Sequence, residues 1–194
     1  MQIVDTSRTT KETDISLRLN IDGTGKNNIE TPVNFFSHML REFSWHGKFD
    51  IDLSAKSLDL DSHHLVEDVA IVLGQAFREA LGDKIGINRY GSMFIPMDDA
   101  LCHCVLDISG RAYCVCSFNL KDERTSDFET VLLVHFFNTF AQNAGITLHI
   151  RQLEGFDTHH IIEAAFKAFA RALKTACSIN KAYQNELPST KGAL

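Results

Sequence analysis

No apolar run in this 194-residue sequence approaches the ~20 residues that a bilayer-crossing helix needs. Basic residues are in deficit, with 19 Lys and Arg against 25 Asp and Glu and a net charge of −6. That balance argues against general binding to nucleic acid or to an anionic membrane, both of which need a basic surface. Cysteine is scarce, and its five copies are an odd number in a chain long enough to bury its own core. A disulfide scaffold is therefore not expected, and a reducing, cytoplasmic setting is. The first ten residues are polar and open no signal-peptide pattern, which points the same way. No low-complexity linker divides the chain, and 44% hydrophobic with 23% charged residues is an ordinary folded composition. Tryptophan occurs once and tyrosine three times, whereas histidine occurs nine times. The histidines are what needs explaining.

The chain repeats itself. Residues 62–82 read SHHLVEDVAIVLGQAFREALG, and residues 158–177 read THHIIEAAFKAFARALKTAC. Each copy opens with a Ser or Thr suited to capping a helix, then His-His-x-x-Glu and an apolar stripe. His38 lies 25 residues before His63, and His135 lies 24 before His159. The pieces between correspond as well, HGKFDIDLS after the first upstream helix and AGITLHIRQ after the second. We read a tandem duplication, 1–90 and 91–194, forming one compact domain.

Ile15, Leu17, Leu19 and Ile21 alternate with polar residues, as a half-buried strand does. Pro32 and Asn34 open a helix carrying Phe35, Met39 and Phe43. Phe49, Ile51 and Leu53 form a further strand, and a helix runs from Ser62 to about Leu81 with a stop at Gly82. In the second half Cys102, Cys104, Leu106 and Ile108 alternate, a Ser109-Gly110 turn follows, and Tyr113 to Phe118 is expected to return as a hairpin. Helices from about Phe128 to Asn143 and from Thr158 to Cys177 complete the pattern. The predicted class is α+β, each lobe a mostly antiparallel sheet with two helices on one face.

His63 and Glu67 are i, i+4, and His64 and Glu67 are i, i+3, so either histidine can share a face with the glutamate. Adjacent residues point about 100° apart on a helix, so both histidines of a pair do not serve one ion together with that glutamate. The same holds for His159, His160 and Glu163. With His38 and His135 the set becomes six imidazoles and two carboxylates, or three and one at each of two pseudo-equivalent sites. Mixed N/O ligands with open positions suit an octahedral manganese or iron ion better than a closed structural zinc. At this level a dinuclear hydrolase and a non-catalytic, metal-assembled shell both stay open. His103 and His149 fall on strands outside the set and read as structural. Cys102, Cys104, Cys114 and Cys116 could meet across the hairpin, but they read as small buried hydrophobes.

The motifs HHLVED, HHIIEA, FFSHML, PMDDAL, LDISGRAY, AGITLHI and PSTKG strongly resemble the imidazoleglycerol-phosphate dehydratase family, over about Arg8 to Leu194. The resemblance implies dehydration of imidazole glycerol phosphate to imidazole acetol phosphate in histidine biosynthesis. It implies two manganese(II) ions per active site and a homo-oligomer, a 24-subunit shell with active sites between subunits. Its metal ligands map onto His38, His63, His64, Glu67, His135, His159, His160 and Glu163, the set that spacing also reaches. Its phosphate clamp maps onto Arg89, Arg111, Lys167, Ser189 and Lys191, with the C-terminal tail closing the site. Glu12 corresponds to a mobile N-terminal acid/base glutamate that partners Glu163, His46 to a histidine near substrate, and Asp98 to a position the family keeps acidic. Two departures stand out. Arg41-Glu42 replaces the usual Asp-Gln, placing a carboxylate near the phosphate end unless Arg41 or another cation neutralises it. Ser62 stands where an Asp often precedes the first histidine pair.

Overall fold

The computed structural model describes residues 2–182 and 184–194, so Met1 and Tyr183 lie outside it. The alternating stretches form strands and the periodic stretches form helices, twice over in the same order apart from one added strand pair in the second half. The first half contributes β1 (Ile3–Thr9), β2 (Thr13–Asn20), β3 (Asn27–Glu30), α1 (Asn34–Gly47), β4 (Asp50–Ser57) and α2 (Ser62–Leu81). The second contributes β5 (Tyr90–Met97), β6 (Ala100–Asp107), β7 (Tyr113–Ser117), a short β8–β9 pair (Arg124–Thr125, Phe128–Glu129), α3 (Leu132–Ala144), β10 (Thr147–Glu154) and α4 (Thr158–Cys177). The two sheets have equivalent strand orders, β1-β2-β4-β3 and β5-β6-β10-β7. In each, one pair is parallel, β3 with β4 and β7 with β10, and the rest are antiparallel.

The parallel β7–β10 pairing corrects the expected hairpin. After Ser109-Gly110 the chain does not fold back on β6, because β10 occupies that edge and pairs with β6 on one side and β7 on the other. Cys104 and Cys116 both sit opposite Ile150, with a strand between them. Burial pushes the Cys102 and Cys177 thiols up to about 12 and Cys104 well above its ordinary value, so they stay protonated and serve as small apolar residues. Two further expectations shift. The helix predicted from Phe128 starts at Leu132, since Phe128 belongs to the β8–β9 turn structure. The caps of α2 and α4 are Asp61 and Asp157, not Ser62 and Thr158: Asp61 accepts from the His63 N–H at 2.8 Å and Asp157 from His159 and His160. A carboxylate two residues before the first histidine reaches these N–H groups and meets the positive end of the helix dipole.

Each half lays its two helices on the inner face of its own sheet, and the helix pairs then face each other, α2 on α3 and α1 on α4. The core between them is a cluster of phenylalanines from both halves. Phe43 stacks on Phe169 at 5.4 Å and Phe77 meets Phe140 edge-on at 5.5 Å. All four are essentially buried, each contributing roughly 1.5–3 kcal/mol by leaving water. Gly74 permits the α2–α3 approach, since a Cβ there would sit 2.8 Å from both the Phe140 carbonyl and the Asn143 Cβ. No helix is long and apolar enough to cross a membrane among the described residues.

Candidate active site

The helix pairing decides which histidines meet, and it crosses the halves. On the α1–α4 seam, His38 of the first half meets His159 and Glu163 of the second. His159 Nε2 lies 3.2 Å and His38 Nε2 3.5 Å from Glu163 Oε2. On the α2–α3 seam, His63 of the first half meets His135 of the second, with ring centroids 4.6 Å apart. Glu67 follows His63 by one helical turn and is half-buried. The spacing argument left open which upstream histidine serves which pair, and the fold makes it the other half's.

One carboxylate oxygen and two imidazole nitrogens from Glu163, His38 and His159 lie within 4.8 Å of one another. This donor set fits a divalent ion that accepts mixed N/O ligands. Glu163 is buried below two half-exposed histidines. Burial pushes its carboxyl up, but the hydrogen bond and charge of Lys167, with Nζ at 2.5 Å from Oε1, and the charge of His38 outweigh burial and hold it below its ordinary value. Lys167 also lies 3.5 Å from Glu42, which in turn pairs with His46 at 3.2 Å. Glu42 is thus neutralised by Lys167 and not by Arg41, whose guanidinium turns away to donate to the Ile29 carbonyl at 2.7 Å. Burial lowers the His46 pKa, Glu42 opposes it, and Lys167 and Arg171 add to the lowering.

The second histidine of each pair points elsewhere. His64 Nδ1 lies 2.7 Å from Asp59 and 3.8 Å from Glu12. His160 Nδ1 lies 2.7 Å from Asp99, and its Nε2 lies 3.7 Å from Asp98. Glu12 sits in the β1–β2 turn, where the Thr10 hydroxyl accepts from the Glu12 and Thr13 N–H groups. Asp68, one residue past Glu67, is buried and anchors that turn by accepting from Arg8 at 2.8 Å and from the Thr13 hydroxyl at 2.5 Å. Asp59, Asp99 and Asp68 were not among the residues expected from sequence. The only signal for the first was its place five residues before His64.

The expected phosphate-clamp residues divide. Lys167 is beside Glu163, but Arg89, Arg111, Ser189 and Lys191 gather at the opposite end of the second lobe. The Arg89 N–H bonds the Ala176 carbonyl, 13 residues past Glu163 on α4, which is about 20 Å along a helix rising 1.5 Å per residue. The Arg89 guanidinium bonds Asp107 at 2.7 Å and the Pro188 carbonyl at 2.7 Å. Arg111 follows the Ser109-Gly110 turn, against which the C-terminal Leu194 packs. The Ser189 hydroxyl donates to the Ala193 carbonyl at 2.8 Å. The tail is folded onto this basic end, away from the histidines of its own chain. His103 and His149 lie on the second sheet, where His103 stacks on Phe94 at 3.8 Å and bonds Ser92, and His149 lies near Tyr113.

A family model described as imidazoleglycerol-phosphate dehydratase matches residues 31–173. The chain belongs to the imidazoleglycerol-phosphate dehydratase family. It is 55% identical to the imidazoleglycerol-phosphate dehydratase of Acetivibrio thermocellus over 191 residues, covering 98% of this chain and 97% of that one. It is 49% identical to that of Lactococcus lactis subsp. cremoris strain SK11, covering 100% and 98%. The crystal structure of the Staphylococcus aureus enzyme superposes with a TM-score of 0.84 at 38% identity, covering 92% of this chain and 100% of that one. That of Pyrococcus furiosus IGPD in complex with (S)-C348 superposes with a TM-score of 0.85 at 39% identity, covering 97% and 100%. The chain is accordingly a hydro-lyase of histidine biosynthesis.

Proposed function

We propose that this chain dehydrates D-erythro-imidazole glycerol phosphate to imidazole acetol phosphate and water, in the cytoplasm, with two manganese(II) ions per active site. The observation that carries the metal dependence is the crosswise meeting of His38, His159 and Glu163, with the buried carboxylate at its base. His63 and His135, whose rings meet, would form the second cradle with Glu67. His64 and His160 face away from both cradles of their own chain, and the four clamp residues gather at the other end of α4, where the Arg89 backbone lies about 20 Å from Glu163. Both facts support a homo-oligomer in which each site combines one subunit's histidines with another's Arg89, Arg111, Ser189 and Lys191. The 24-subunit shell and the domain boundary near residue 90 belong to the same reading.

Chemically, the carbon that loses a proton has no adjacent carbonyl to acidify it, so the substrate's own ring must supply the electrons. Bound manganese would supply Lewis acidity to the ring nitrogens, in the way bound metals acidify their ligands. The C–O bond on the ring-attached carbon breaks and the hydroxyl leaves as water once protonated. The next carbon gives up its C–H proton, and the resulting enol becomes the ketone as the ring-attached carbon takes a proton. Glu163 and Glu12 are the acid/base pair, one protonating the leaving hydroxyl and the other accepting the C–H proton. Lys167 keeps the Glu163 carboxyl ionised. The basic end fixes the phosphate and so lines up the reacting carbons. Protein stripped with chelator should lose ketone formation from imidazole glycerol phosphate, and manganese should restore it. Turnover unchanged by chelation would overturn the metal dependence, and no turnover with manganese fully bound would overturn the assigned reaction for this chain.

A further inference from the structure

We propose that Asp59 and Asp99 are positioning residues that hold the second histidine of each pair by its Nδ1, and that Asp59 thereby leaves Glu12 free. The inference rests on the reading of His64 and His160 as metal ligands. Both carboxylates sit 2.7 Å from the same ring atom, Asp59 on His64 and Asp99 on His160. A neutral imidazole that donates its Nδ1–H to a carboxylate presents a bare Nε2, the form a metal ligand needs.

The two carboxylates come from non-equivalent places in the repeat. The β1–β2 turn spans Thr10 to Thr13 and the β5–β6 turn spans Met97 to Ala100, so Glu12 and Asp99 are both the second residue of a two-residue turn. The helix-capping Asp61 and Asp157 are likewise equivalent, which sets Asp59 against Gly155 two residues before each. In the second half the turn carboxylate does the holding. Asp99 accepts from His160 and from the Phe156 and Asp157 N–H groups at 2.7 and 3.0 Å, leaving it no freedom to move a proton. In the first half the pre-helix loop supplies the holder, and Glu12, half-exposed, stands back at 3.8 Å from the same nitrogen. The halves have exchanged the task between two positions, and the residue released by the exchange is the one assigned to proton transfer.

The test is magic-angle-spinning NMR of metal-free protein labelled with ¹⁵N-histidine, at about pH 9 where the rings are neutral, read alongside manganese affinity and turnover. His64→Gln and His160→Gln assign the two rings. The expected wild-type spectrum has both rings as the Nδ1–H form. Asp99→Ala should release His160 to the other tautomer and weaken manganese binding about 10–100-fold. Asp59→Ala should leave His64 in the Nδ1–H form, because Glu12 closes onto it. Manganese affinity should then fall less than in Asp99→Ala, while turnover falls on the order of 10²-fold. Thermal unfolding of each metal-free variant serves as the folding control, since Asp59 also accepts from the Asp61 N–H and Asp99 from the Phe156 and Asp157 N–H groups. Rings in the Nε2–H form in the wild type would overturn the proposal, as would Asp59→Ala losing manganese as severely as Asp99→Ala. A wild type with Nδ1–H rings that binds no manganese would instead overturn the metal reading and leave the holding role standing.

Discussion

The two halves share a helix that opens His-His-x-x-Glu and packs against the other half's upstream histidine, yet they differ one turn further on. Lys167 follows Glu163 by four residues, whereas Ile71 occupies that place after Glu67. Glu163 is accordingly held ionised by a 2.5 Å ammonium contact, and Lys167 carries Glu42 as well. The first half carries a different asymmetry. Asp68 ties the Glu12 turn to α2, and its counterpart in the second half is Ala164. Duplication thus supplies two similar histidine-bearing seams, and single side chains that broke the symmetry set the surroundings of Glu163 in one half and of the Glu12 turn in the other.

The largest expected effect separates the two glutamates. Glu163→Gln should reduce turnover about 10²–10⁴-fold, in the range of a lost acid/base group, with no rescue at high manganese. Glu67→Gln should lose manganese affinity and regain most turnover when the metal is raised. Steady-state rates over a manganese titration check both, and turnover of Glu163→Gln within tenfold of wild type would erase the distinction. Next in size, Lys167→Met removes the cation beside two carboxylates. Glu163 and Glu42 then keep only their histidine partners, at an expected cost of about 2–3 kcal/mol in urea unfolding, whereas Ile71→Met should cost under about 1.5 kcal/mol.

A smaller effect tests how one half supports the other. The first-turn N–H groups of α1 have no cap from their own half, and Asp127 of the second half accepts from the Asn34 and Phe35 N–H groups at 2.6 and 2.9 Å. Burial pushes its carboxyl up, but those donors outweigh burial and hold it below the ordinary 3.8. A folded value below the unfolded one means the contribution is present above pH 3.8 and is lost as the pH falls through the folded value. Asp127→Ala should therefore cost about 1 kcal/mol at neutral pH, with the difference from wild type vanishing in strong acid. The smallest effect concerns sulfur. Cys114→Ser combined with Cys116→Ser should leave manganese content unchanged, because only imidazoles and carboxylates are assigned to the ions.

The fold class was legible because strands and helices leave a periodic trace, two residues in a strand or three to four in a helix, and the meeting of His38 with His159 and of His63 with His135 involves histidines that the repeat had already marked. The β7 pairing was not, since a turn signal at Ser109-Gly110 marks where the chain bends and not which strand waits there. The caps were misplaced by one residue because Ser62 and Thr158 are good cap residues standing next to better ones. Asp59 and Asp99 carry no local pattern of their own, and only the folded loops bring them to the histidine rings. The crosswise pairing was also out of reach, because it depends on how two helix pairs face each other.

That crosswise pairing is the centre of the account, and the manganese content of the wild-type protein tests it most directly. Metal-free protein saturated with manganese and freed of excess ion should hold two manganese per chain, falling to one in His135→Ala. A wild type holding none, or only one, would contradict it.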